Sequence, residues 1–292
     1  MKMKLIALAA MLVASGAQAN IADSNDRAKT ADESGDLFSH VFSESQNATY
    51  TVDLGLSLNQ FMAGNVNAAG IKLVWDLDDN AFIDMSSVDS GITITQTLNY
   101  GDIWDTFATD AVIGASDLNF EVKAMDGLPS ALAPTGANQY LSTSNSDSIA
   151  ATNSQVFSMD NWDALIIAAN EDQTNSTHGG DLSIAGANMF DLGDAQNVDW
   201  TEGFANWKGA TNFSSPSFSI TDELYFWYIT NSSASGAFEA SYTTLAGVWT
   251  FDTETAQLTY ATAPVPEAET YAMMLAGLGL VGFMAARRRK AD

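Results

Sequence analysis

"ELYFWYIT", residues Glu223–Thr230, is the stretch of this sequence that most directly predicts its fold. Aromatic and β-branched side chains fill it, and these residues are enriched in strands because they pack well on a pleated surface. Further runs of similar character are separated by Gly, Asn, Asp and Ser: Leu37–Ser43, Ala48–Leu54, Ile71–Leu77, Ile92–Leu98, Leu118–Met125, Gly247–Asp252 and Ala256–Tyr260. Short alternating runs of this kind predict a mainly β protein.

The spacing between these runs refines the predicted fold. The last two flank Thr253-Glu254-Thr255, which predicts a hairpin. Apolar residues recur at helical spacing once, over Asn161–Asn170, and predict a short helix that packs on a sheet. The Ser- and Asn-rich segment Thr135–Gln155 predicts a polar loop. We therefore predict an antiparallel β-sandwich with one or two inserted helices.

Charge and cysteine content exclude several classes of function. The 292 residues include 11 Lys and Arg against 36 Asp and Glu, which gives a formal net charge of −25. Such a chain has no basic surface for phosphates, so nucleic acid is excluded as a partner. Because the sequence has no cysteine, it forms no disulfide, uses no catalytic thiolate and ligates no metal through sulfur.

The first 19 residues have the three parts of a secretory signal peptide. Two lysines precede the apolar stretch Leu5–Val13, and the small residues Ala17 and Ala19 follow it. This order is typical of a leader that is removed after export. We predict cleavage after Ala19, so that the mature chain begins at Asn20 outside the cytoplasm.

The other end of the chain predicts a single membrane span. Tyr271–Ala286 contains no charge and no proline, and as a helix it covers roughly 24 Å. Four cations follow it at once: Arg287, Arg288, Arg289 and Lys290. Cations flanking a span stay on the cytoplasmic side, so residues before the span are expected outside.

The residues before this span carry a family resemblance. Val265, Pro266 and Glu267, followed by the uncharged span and the terminal Arg cluster, resemble the PEP-CTERM sorting domain of Gram-negative bacterial exported proteins. The second proline of that family's motif is Ala268 here. Pro264 and Pro266 hold the segment extended and deny it helical hydrogen bonds. A plain tail anchor is the alternative explanation of the same three features.

The resemblance implies processing and a destination. It implies that an exosortase-like membrane transpeptidase cuts near the motif, after transient anchoring in the inner membrane, and passes the protein to the cell surface. The predicted organisation is a signal peptide at 1–19, an exported β-sandwich-like domain at 20–263 and a sorting tail at 264–292.

Catalytic motifs are sparse in the exported region. The only histidines, His40 and His178, have no metal-binding spacing, and neither a nucleophile elbow nor a phosphate loop occurs. Abundant acids leave open a secreted, glycosidase-like hydrolase that uses a carboxylate pair. We expect that the protein is not an enzyme, because solvation and solubility explain the many acidic residues that are spread along every loop.

One segment predicts a loose cation site. Asp76, Asp78 and Asn80 alternate and Asp84 follows, but Ala81 and Ser87 replace the Gly and Glu of an EF-hand. The segment therefore leaves open weak Ca²⁺ binding through turns, and no other cofactor is expected.

Tryptophans suggest a carbohydrate contact. Trp75, Trp227 and Trp249 lie in predicted strands and are expected to be buried, whereas Trp200 and Trp207 lie in a Gly- and Asn-containing segment and are candidates for stacking on a sugar. The favoured function is a structural or adhesive protein of the cell surface or extracellular matrix, linked to exopolysaccharide and biofilm; the alternative is the hydrolase.

Overall fold

The computed structural model of the chain describes residues 35–43, 48–110, 118–126, 135–157, 184–190 and 218–264, together with Leu278. The described part of the chain is mainly β, with 49% of its residues in strands, as the sequence predicts. Its elements follow in the order β1 (Asp36–Ser43), β2 (Ala48–Ser57), α1 (Leu58–Ala63), β3 (Lys72–Asp76), β4 (Ala81–Asp84), β5 (Thr97–Asn99), α2 (Ile103–Asp110), β6 (Leu118–Asp126), β7 (Gln139–Ser144), α3 (Asn153–Val156), β8 (Ile184–Phe190), β9 (Leu224–Thr230), β10 (Ser241–Asp252) and β11 (Gln257–Ala261).

The described strands form one sheet rather than the two sheets of the predicted sandwich. Their order is β4-β3-β11-β10-β9-β7-β6-β1-β2-β8-β5. Neighbouring strands are antiparallel, except that β5 and β8 are parallel. The predicted antiparallel character is therefore confirmed, while the division into sheets differs.

Curling of the sheet explains how a single sheet encloses a core. The Trp75 indole N–H in β3 donates to the Leu54 carbonyl oxygen in β2 at 2.9 Å, although six strands separate these two in the sheet order. The Tyr100 amide, just after edge strand β5, donates to Oδ1 of Asn80, just before edge strand β4. The sheet is therefore nearly closed on itself. Alternation in a sequence shows which face of a strand is apolar, but not how strands are divided among sheets.

The inner face of the curled sheet holds the main hydrophobic core. Five large aromatic side chains from different elements meet there: Phe61, Trp75, Phe226, Trp249 and Tyr260. The Trp75 and Trp249 rings lie 5.3 Å apart between centroids, and those of Phe61 and Tyr260 lie 5.2 Å apart, within the range of favourable aromatic pairs. Burial of Trp75, Trp227 and Trp249 confirms the prediction for these tryptophans.

A smaller apolar cluster lies on the opposite face of the central strands. Phe38, Met125, Tyr140, Trp227 and Ile229 pack there with residues from the segment around α3. Strands β1, β2 and β6 are buried almost throughout, on both faces. This double burial matters below, because polar side chains on the outer face of these strands are also removed from water.

Two short helices close the inner core. Ser57 caps α1: its Oγ accepts from the Gln60 amide at 3.2 Å, while Gln60 Oε1 accepts from the Ser57 amide at 2.7 Å. In α2, Trp104 and Phe107 pack against the Tyr50 ring of β2. The helix predicted over Asn161–Asn170 lies outside the described residues.

Two secondary-structure predictions were wrong. Ile92–Leu98 was predicted as a strand, but only Thr97–Asn99 is one. Thr135–Gln155 was predicted as a loop, yet it contains β7 and most of α3. Serine and threonine in β7 hide its strand character, because Ser142, Thr143 and Ser144 are buried between neighbouring strands rather than exposed in a loop.

Candidate functional site

A row of ionisable and hydroxyl side chains, here named the polar row, crosses the outer face of the three strands β2, β1 and β6. His40 of β1 lies opposite Thr51 of β2 on one side and Glu121 of β6 on the other. Its Nδ1 and the Thr51 Oγ1 are 2.7 Å apart and share a hydrogen bond. Lys123, two residues along β6, places its Nζ 2.5 Å from Oε2 of Glu121. Strand pairing thus assembles a histidine, a hydroxyl, a carboxyl and an amine.

Burial dominates the electrostatics of this row. It raises the pKa of Glu121 from 4.5 to about 7, although the neighbouring Lys123 opposes the rise. Burial lowers the pKa of Lys123, and Glu121 opposes that change. The pKa of His40 is lowered well below its usual value, first by burial and then by Lys123, so His40 is neutral near pH 7.

The row has catalytic residue types but no access for a substrate. A neutral histidine beside a threonine hydroxyl resembles a base and a nucleophile. However, Thr51, His40 and Glu121 are 0%, 1% and 1% exposed, so nothing in solution reaches them in this structure. The row ties together β2, β1 and β6, and His40 lies in a strand, as its alternating context predicts.

An acid pair lies at the start of the same strands. Asp36 is the first residue of β1 and Asp53 lies opposite Phe38 on β2, and the charge of Asp36 is close enough to affect Asp53. Burial and then the Asp36 charge raise the pKa of Asp53 well above its ordinary value, while the Gly55 amide, which donates to Asp53 Oδ1 at 2.8 Å, partly offsets this. Asp36 and Asp53 are 7% and 1% exposed. The hydrolase hypothesis needs a carboxylate pair that a glycosidic bond can reach, whereas both members of this pair are buried.

The predicted calcium ligands lie around the β3–β4 turn, where most of their oxygens already accept hydrogen bonds. Asp76 accepts from the Asp79 amide and from Gln257 Nε2. Asn80 accepts from the Tyr100 amide, and Asp84 accepts from the Ser86 amide and the Ser90 hydroxyl.

Asp78, the fourth predicted calcium ligand, lies close to several other acidic side chains. Its pKa is raised by burial and then by Asp105, Asp76 and Asp79. In the described ranges, no three His, Asp or Glu side chains converge as a metal site would require. Weak calcium binding here stays a prediction.

Other predicted site residues lie outside the described residues. These are Ala17 and Ala19 of the signal peptide, Trp200 and Trp207 of the carbohydrate hypothesis, and Val265, Pro266, Glu267, Arg287, Arg288, Arg289 and Lys290 of the sorting tail. Among helices of the described part of the chain, none has the length and apolar character needed to cross a membrane.

Sequence reasoning missed Glu121 and Lys123. They alternate with Phe120 and Val122 in β6, a pattern that normally marks a strand with one solvent-exposed face. The outer face is instead covered, and both charges are buried. The Thr and Ser residues of the nearby strands β2 and β7 were the one sequence feature that could have indicated a buried polar face.

Comparison with known proteins identifies the C-terminal tail. Residues 264–290 match the family model of the PEP-CTERM protein-sorting motif. This is the segment in which the sequence resemblance was found, and it is consistent with an exosortase substrate. No curated protein and no solved structure matches the chain.

Proposed function

We propose that this chain, whose residues 264–290 carry a PEP-CTERM sorting motif, is an exported protein that an exosortase-like membrane transpeptidase sorts to the cell surface. The motif match is the observation that carries the proposal. The signal peptide predicted at residues 1–19 and the cation cluster after the predicted span agree with it, because both patterns predict that the intervening domain lies outside the cytoplasm.

The position of the motif relative to the fold supports its use as a removable handle. Among the described residues, the last backbone hydrogen bonds that tie the chain to the sheet are made by Thr262 and Ala263, to Ile71 and Gly70. Pro264, where the motif match begins, is exposed. Cleavage beyond this point would remove no strand and no core side chain of the described domain.

The composition of the product supports a structural or adhesive role. Loss of the leader removes two lysines and loss of the tail removes four cations, which leaves 11 − 2 − 4 = 5 cations among the acids. Such a protein would contact exopolysaccharide through hydrogen bonds, divalent cations or the stacking of Trp200 and Trp207, rather than through positive charge. The buried state of the polar row and of the acid pair agrees with a role without catalysis.

Replacement of the motif tests the proposal. We expect Pro266→Ala with Glu267→Ala to block cleavage and to leave the full-length protein in the membrane fraction, measured by fractionation and blotting in cells that contain an exosortase. The matched control is Glu254→Ala, an exposed glutamate in the β10–β11 turn of the folded domain. Release of the motif variant as efficiently as the control would contradict sorting and favour a plain anchor.

A further inference from the structure

The described range 218–264 ends at one corner of the sheet. The Gly70 amide donates to the Ala263 carbonyl at 2.8 Å, and the Ser87 amide donates to the Gly70 carbonyl at 2.8 Å. Gly70 thereby joins the last described residues to the segment that follows edge strand β4. The sorting tail begins beside this corner.

Exposed apolar side chains concentrate at the same corner. Ile83, Met85 and Val88 are 42%, 56% and 38% exposed, and only two other large apolar side chains in the described ranges are exposed. Ile83 and Met85 alternate with the inward-facing Phe82, which packs on Trp75, so both lie on the outer face of β4. The three lie within six residues of sequence at the sheet edge, and exposed apolar side chains that cluster in this way mark contact surfaces.

A cation completes this surface. Within the described ranges, Lys72 is the only exposed Lys or Arg. The Met85 amide donates to the Lys72 carbonyl, so the two residues lie side by side on the same face, next to Ala261 of β11. We name Lys72, Ile83, Met85 and Val88 the exit surface.

We propose that the exit surface rests on the lipid bilayer while the sorting tail is inserted, so that the domain docks on the membrane before it is released. This inference rests on the proposed function, because it needs the tail in the membrane. Apolar side chains with an adjacent lysine suit the boundary between headgroups and acyl chains, where the lysine stem lies along apolar surface and its ammonium remains in water.

The short segment between the domain and the predicted span favours lipid as the partner of the exit surface. Pro264 and the start of the predicted span at Tyr271 are seven residues apart, so even a fully extended chain spans at most about 24 Å. A domain held so close meets the bilayer at a high effective concentration, and weak contacts therefore suffice. Asp84 and Asp89 are exposed nearby, so zwitterionic lipid is favoured over strongly anionic lipid.

The absence of cysteine allows a direct test. Ser87→Cys, carrying an environment-sensitive fluorophore, probes the exit surface, and Thr255→Cys probes the turn at the far end of β11 as a control. The mature full-length chain is reconstituted into phosphatidylethanolamine vesicles with a minor fraction of phosphatidylglycerol and quencher-labelled lipid. We expect quenching at position 87 and little at 255. Replacing Ile83, Met85 and Val88 by Ser should lower quenching at position 87 roughly threefold or more, with an unchanged melting temperature.

Flotation of the vesicles separates the two hypotheses. A protein that does not float with the vesicles overturns the insertion of the tail and, with it, this inference. A protein that floats but shows equal quenching at positions 87 and 255 overturns the inference alone. A change in the fluorescence at position 87 that appears only after an exosortase is added also overturns the inference, because the exit surface would then contact protein rather than lipid.

Discussion

The Gly247 amide donates to the Tyr260 hydroxyl at 3.1 Å, and that hydroxyl donates to the Val66 carbonyl at 3.1 Å. The contact is so close that a Cβ on Gly247 would lie 2.3 Å from Cζ of the Tyr260 ring. It occurs where the β9–β10 register shifts between Thr244 and Val248, and the shift frees an amide to bind a buried phenol. A glycine at position 247 thus allows a fully buried tyrosine to satisfy its hydroxyl.

Gly247→Ala is expected to destabilise the protein by about 1–3 kcal/mol, because neither the tyrosine ring nor the packed strand can move aside without strain. Chemical denaturation of the exported protein measures the loss. Gly236→Ala is the control, since its Cβ would approach no atom closer than 3.2 Å, the Ser154 Cβ. Equal losses in the two variants would contradict the proposed contact.

Breaking the buried ion pair is expected to cost more than removing it. Lys123→Met leaves the Glu121 carboxyl buried without its partner and should lower the free energy of unfolding by about 3–5 kcal/mol. Combining Lys123→Met with Glu121→Leu removes both charges and should recover most of that loss. Denaturant titrations of the single and double variants give the coupling, and a double variant as unstable as the single one would show that the pair is not the cause.

The raised pKa of Glu121 predicts a pH dependence of stability. Its pKa rises from 4.5 to about 7 on folding, so between these values the folded state retains a proton that the unfolded state has lost. The contribution of this residue to stability is therefore full below pH 4.5 and decreases as the pH rises to about 7, by about 3 kcal/mol. Glu121→Gln should flatten this part of the curve relative to wild type. Parallel pH profiles would contradict the assignment.

The strands of the sheet show which features the sequence could predict and which it could not. Alternation of apolar residues predicted β1, β2, β3, β6, β9 and β11 closely, because their inner faces are strongly apolar. It failed for β7, whose Ser142 and Ser144 are buried on the outer face, and it could not show that Glu121 and Lys123 are buried. Whether an outer face is covered depends on segments distant in the sequence, and local composition does not contain that information.

Calcium binding is expected to be weak and to depend on Asp78. Millimolar Ca²⁺ should raise the melting temperature slightly, because the cation offsets the repulsion of Asp78 by Asp105, Asp76 and Asp79. Asp78→Asn should itself raise the melting temperature at low salt and reduce the response to calcium. Asp147→Asn, an exposed acid elsewhere, is the control. Calorimetry without heat, together with an unchanged melting temperature, would exclude the site.

The terminal cations are expected to determine retention of the tail. Replacing Arg287, Arg288, Arg289 and Lys290 by Ser removes the charges that hold the end of the span on the cytoplasmic side, each worth about 1 kcal/mol near an anionic leaflet. Tyr271–Ala286 is short for a bilayer, so it depends on long flanking side chains that reach the interface. The variant should be retained less in the membrane and cleaved less, measured by fractionation and blotting. Arg27→Gln with Lys29→Gln, which changes cations before the folded domain, should behave like wild type. Retention and cleavage of the Ser variant at the wild-type level would show that the apolar span and the Val265-Pro266-Glu267 motif suffice without the cations.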